Sequence, residues 1–181
     1  MTIYEVLKIE GQTLLDLVDQ LILSRDADER REIIQEVRDE LVPLIRAEEW
    51  VLYHSIRQVD AMTEVVSIAF EEHFEVESIL QRLQVTEYTR FNFKWESGAR
   101  KLKETLQHHM SEEEDQVFYT AKRLFTEVEA MAMAEAFERM KPLVRGPGVM
   151  GQSLDRIANL MPNRLRDSFE RLGKLSMSQA S

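Results

Sequence analysis

Four stretches of this chain repeat apolar residues at steps of three or four, and on three of them histidine or glutamate interrupts the repeat. One series reads Ile34, Val37, Leu41, Leu44, Glu48, Leu52. A second reads Val66, Phe70, His73, Glu77, Leu80, and a third Leu102, Leu106, His109, Glu113, Val117. The first stretch carries Leu7, Leu14, Val18 and Leu21, with Gly11 on the same line. Such spacing lays each series along one face of an α-helix. Long stretches free of Gly and Pro, and only 6 Gly and 4 Pro in the chain, make helix the expected state throughout. Four long amphipathic helices with short connections predict an all-α fold, an antiparallel up-down four-helix bundle with additional C-terminal helices.

Helix boundaries follow from capping chemistry. Thr2 with Glu5 forms a capping-box pattern ahead of a helix over about 3–23. Asp26 or Asp28 starts the second, over about 28–58, with Pro43 expected to kink it. Asp60 starts the third, over about 61–85, and Thr86-Glu87-Tyr88-Thr89 reads as a loop. The fourth runs over about 91–125, through Gly98. Thr126 caps a fifth, to about Val144. Gly146-Pro147-Gly148 is the strongest breaker, so residues 1–145 are read as the bundle and 146–181 as a basic amphipathic tail. Short helices are expected near 153–160 and 162–172, and a frayed end from Ser176.

The polar interruptions bear on function. His73 and Glu77, like His109 and Glu113, are four residues apart, so each pair projects side by side from one helix. Any single pair could be an ordinary surface contact. All five groups, with Glu48, nevertheless lie on stripes otherwise made of Leu, Val, Ile and Phe, and buried ionisable groups need a partner or a metal. The chain has no Cys, which removes disulfides, thiolate zinc sites and iron–sulfur clusters. A metal would be held by imidazole and carboxylate, a set that suits iron, manganese or zinc. His54 lies six positions past Glu48, about 240° around the helix, and should point away, as should His108.

Composition narrows the rest. The net charge is −10, and it is unevenly spread. Residues 139–181 hold eight Lys or Arg against three acids, leaving fifteen against thirty in the first 138. An acidic body argues against nucleic acid as the main partner. No apolar stretch is long enough to span a membrane, and the first residues lack a basic stretch followed by an apolar run, so a cytoplasmic protein is expected. Gly146-Pro147-Gly148 lacks the Lys-Ser/Thr of a phosphate-binding loop. Met131, Met133 and Met140 read as packing. The tail places Leu154, Ile157, Leu160, Met161, Leu165, Phe169 and Leu172 on apolar faces ringed by Arg156, Arg164, Arg166, Arg171 and Lys174. Docking on the acidic bundle of the same chain, or of a second copy, is expected over attachment to an anionic membrane.

Several blocks together resemble the hemerythrin-like, HHE cation-binding family: Ile3-Tyr4-Glu5-Val6-Leu7-Lys8-Ile9-Glu10, Leu41 to Glu49 with Val51-Leu52-Tyr53, Glu72-His73 with Glu77, and His108 to Glu114. The resemblance covers about residues 3–140. It implies a four-helix bundle around a non-haem, usually di-iron, centre, in proteins that bind dioxygen or sense oxygen, nitric oxide or iron. Position by position it makes Glu48 and Glu113 bridging carboxylates, and His73, Glu77 and His109 the ligands of one iron. Gly11 and Leu44 stand where the family has the histidines of the other iron. The resemblance therefore implies a partial site holding one ion, iron first, with O2 or NO as a ligand, in a sensing role without turnover. Gly11 and Leu44 should lie together opposite the surviving ligands, facing an apolar gap or a repacked wall. A metal-free bundle acting as a protein-interaction module, through its tail or as a homo-oligomer, is the alternative. A ferritin-like carboxylate oxidase fits less well, since Phe70 and Thr105 stand where Glu would precede His73 and His108 by three.

Overall fold

A computed structural model describes residues 1–58, 63–85, 93–144, 156–166 and 169. Among them every regular element is helical. Helix α1 spans Ile3–Leu23, α2 Ala27–Glu48, α3 His54–Arg57, α4 Thr63–Val85, α5 Phe93–Glu112, α6 Tyr119–Leu124 and α7 Glu127–Met140. Two π-helical turns, Glu49–Tyr53 and Glu113–Phe118, join α2 to α3 and α5 to α6. The second and fourth bundle rods are thus each continuous but locally widened. α1 packs on α2 and α5, and α4 packs on α5 and α2, which closes the ring of four rods.

The capping chemistry holds. The Glu5 carboxylate accepts from the Thr2 N–H and hydroxyl. Asp26, rather than Asp28, caps α2, accepting from the N–H groups of Asp28 and Glu29 at 2.9 and 3.0 Å. Thr126 and Glu129 cap α7 reciprocally. α2 runs on through Pro43 and α5 through Gly98. The expected Asp60 cap, the 86–89 loop, the Gly146-Pro147-Gly148 breaker and the end from Ser176 lie outside the described residues.

Burial follows the stripes. Leu7, Gly11, Leu14, Val18 and Leu21 are buried on α1, and Ile34, Val37, Leu41, Leu44, Glu48 and Leu52 on the second rod. α7 lies against α1, α2 and the first π turn, and Lys141 just beyond it reaches Glu10 and Glu40 at 2.5 and 2.9 Å. In the tail, residues 156–158 and 163–166 are helical. Their apolar side is buried through Ile157, Ala158, Met161, Leu165 and Phe169. Phe169 meets the Trp50 ring edge-on at 5.8 Å. Arg164 pairs with Glu129, donates to the Leu124 carbonyl and lies over Phe125. The described part of the tail therefore docks on its own chain.

Candidate metal centre

Helical period alone brings the predicted groups inward. Glu48, His73, His109 and Glu113 are all buried, at 3, 1, 6 and 7% exposure. They come from three rods, so the full set meets only in the bundle. Donor atoms of Glu48, His73 and His109 all lie within 4.8 Å of one another. His73 Nε2 stands 3.1 Å from His109 Nε2 and 3.5 Å from Glu48 Oε2. Glu113 lines the same cavity and accepts from the Tyr53 hydroxyl at 3.1 Å.

A second layer of carboxylates fixes both rings. His73 Nδ1 is 3.0 Å from Glu49 Oε1, and His109 Nδ1 is 2.8 Å from Glu72 Oε2. Burial would raise the Glu49 carboxyl, but the His73 hydrogen bond and the charges of His73 and Arg46 outweigh it and hold it low. The His109 hydrogen bond holds Glu72 low against its burial. Ionised carboxylates can only accept, so each ring donates its Nδ1 proton outward and turns its Nε2 inward. This is the outer support that metal-bound histidines usually have. Tyr53 stacks on His73, with centroids 5.3 Å apart and planes at 17°. Burial, then the charges of Glu113 and Glu48, keep its phenol protonated and available as a donor.

The inner layer is in electrostatic debt. Two imidazole lone pairs 3.1 Å apart repel unless a proton or cation sits between them. Burial pushes the Glu48 carboxyl up to about 7, with Glu49's charge raising it and the Glu113 hydrogen bond opposing. Burial and the charge of Glu48 raise Glu113 well above the carboxylate range. Glu48 Oε1 is buried with no hydrogen-bond partner. Metal–imidazole bonds of about 2.0–2.1 Å put two neighbouring ligand atoms roughly 3 Å apart, so the His73–His109 spacing suits a shared ion. Donor type and spacing both fit a divalent cation.

Glu77 stands apart from these four. Arg46 donates to its Oε2 at 2.9 Å, lies 2.8 Å from an Oε1 that makes no hydrogen bond, and also reaches Glu49 at 3.1 Å. Its place here is in the layer that supports Glu49. His108 is two-thirds exposed at the side chain, with its Nε2 3.8 Å from Glu72. His54 sits between the rings of Trp50 and Phe70. Both miss the centre, as the helical period requires.

Gly11 and Leu44 do come together. They line one cavity of about 30 Å³ that also touches Glu48, His73, His109 and Glu113. The wall has been repacked by Met110, whose side chain lies directly over Gly11. A Cβ built on Gly11 would fall 2.6 Å from Met110 Cε and 3.0 Å from Sδ.

Sequence reasoning gave no role to Glu49, Glu72, Arg46, Tyr53 and Met110. Glu49, Glu72 and Met110 each adjoin a stripe residue in sequence, about 100° around the helix. An acid beside Glu48 and another beside His73 was the available signal.

The family model for the hemerythrin HHE cation binding domain matches residues 2–121. No curated protein gives a significant match.

Proposed function

The chain belongs to the hemerythrin HHE cation-binding family, and from that premise we propose that its centre binds one divalent ion, iron first, in a sensing or regulatory role. His73, His109 and Glu48 are the inner ligands in this reading, and Glu113 completes the set. Glu77 acts one layer out, holding the Arg46 that holds Glu49. The observation that carries the proposal is the inner pair of imidazole nitrogens, 3.1 Å apart beside the unpartnered Glu48 Oε1. Two imidazole nitrogens and a carboxylate oxygen converge on one point.

The chain's own residues do four things for a bound ion. Glu49 and Glu72 select the tautomer that offers Nε2. Tyr53 fixes Glu113 by donating to it. Leu41, Leu44 and Leu106 wall the centre with hydrocarbon and limit water. Glu48 would offer its carboxylate oxygens as ligands. The ion itself supplies Lewis acidity and, for iron, one-electron exchange with a diatomic ligand such as O2 or NO. A single ion does not share two-electron chemistry between metals, so sensing fits better than carriage or turnover.

The test is thermal melting with and without Fe(II), Mn(II) and Zn(II), together with metal analysis of protein purified without added metal. A site present only in the folded state stabilises it by about 2.7 kcal/mol at a hundredfold excess over Kd. That rise should disappear in His73→Ala with His109→Ala. A metal-free preparation with no shift for any of the three ions would favour the interaction-module reading, which the thioether-filled half of the centre would then explain.

A further inference from the structure

We propose that Met110 sets the metal count of this centre, its side chain occupying the room a second ion and its ligands would need. The inference rests on the reading of the centre as a metal site, and adds the residue that limits it to one ion.

Three observations converge. Gly11 is buried on the inward stripe of α1, in a position that offers volume but no side chain. Met110 fills that volume: its Cε, Sδ and Cγ all lie within 4 Å of where a Gly11 Cβ would be. A carbon at 2.6 Å from Cε is well inside the roughly 3.5–4.0 Å of an ordinary carbon contact. A histidine at 11 therefore requires the flexible end of the Met110 side chain to move. Finally, the remaining cavity of about 30 Å³ has room for about one water. That is too little for two imidazoles and an ion.

Methionine suits the task. It is unbranched and follows irregular gaps, and its thioether asks for no hydrogen bond. It also follows His109 directly, so the backbone that delivers a ligand to one half of the centre delivers the filler to the other. Leu44 closes the same wall from α2.

Metal content per chain, by elemental mass spectrometry after Fe(II) or Zn(II) loading and desalting, separates the possibilities. Wild type should hold one ion. Gly11→His with Leu44→His should stay nearer one than two, because Met110 competes for the space. Gly11→His, Leu44→His and Met110→Ala together should hold two. Two ions in the double variant, or one in a triple variant with native circular dichroism, would overturn the role of Met110 alone. No ion in wild type and none in the triple variant would overturn the metal reading itself. Should the triple variant not fold, methyl-labelled methionine spectra of wild type decide the matter. Of nine methionines, the Met110 ε-methyl, assigned through Met110→Leu, should shift most on loading Co(II). An unmoved Met110 methyl would overturn the proposal.

Discussion

Two carboxylates of this chain are displaced in opposite directions. Glu48, at the bundle centre, is pushed up to about 7. Glu129, where the tail docks, is pulled down to about 2. Glu129 has what Glu48 lacks: Arg164 donates to both its oxygens at 2.6 and 2.9 Å, and Thr126 donates its N–H and hydroxyl. Glu48 is fully buried, its neighbours are another carboxyl and a histidine, and one oxygen has no partner. Among the described residues no lysine or arginine pairs with Glu48 or Glu113. At the periphery the chain supplies its own cation. At the centre it leaves the cation to come from outside, which is the physical content of a metal-binding site.

The comparison can be broken most directly at Glu48. Glu48→Met keeps the approximate size and removes the unanswered carboxyl. Metal-free protein should gain about 1–3 kcal/mol, the usual cost of a buried polar group without a full set of partners, while metal-induced stabilisation falls away. Urea denaturation with and without Zn(II) measures both. A variant less stable than wild type without metal would mean that Glu48 is already satisfied, and the contrast with Glu129 would collapse.

Glu49→Gln sharpens the comparison one layer out. It preserves shape but removes the charge that fixes the His73 tautomer and answers Arg46. Loss of such outer partners costs about 10–100-fold in metal affinity. Calorimetric titration should show that loss with little change in metal-free stability, since Arg46 keeps Glu77. Unchanged affinity would remove Glu49 from the site.

Most of the centre was legible because the helical period is a strong signal. Glu48, His73, His109 and Glu113 each broke an apolar stripe, and all four are buried where the stripes meet. The period carries no information about the π turns. Val51, Leu52 and Tyr53 are all fully buried in succession within the first π turn. The widened turn brings Tyr53 onto His73 and Glu113 while Trp50 meets Phe169. Glu77 lies on the stripe, yet Arg46 from the neighbouring rod captures it. That competition between side chains of different helices has no signature in spacing. Met110 was hidden for a similar reason: its position is off the stripe, and only the absent side chain at Gly11 draws it in.

The smallest effects belong to the periphery. Arg164→Ala removes a pair whose arginine side chain is half exposed, so it should cost no more than a few tenths to about 1 kcal/mol and leave metal-induced stabilisation intact. Its pH dependence has a definite sign. Glu129 is held low first by the Arg164 hydrogen bond, against the opposing effect of burial, and then by Thr126. A carboxyl whose folded value lies below its ordinary 4.5 stabilises fully above that pH, and the contribution fades as pH falls toward about 2. Protonation weakens two contacts together, the Arg164 pair that fastens the tail and the capping box that starts α7. The Arg164 Nε–H resonance should therefore move with a midpoint near the bottom of this window, and tail and α7 start should loosen in step. Glu129→Gln should flatten that response. An Arg164 signal that titrates alike in wild type and Glu129→Gln would show that the tail is held by its apolar contacts at Trp50, and that the peripheral cation answers nothing.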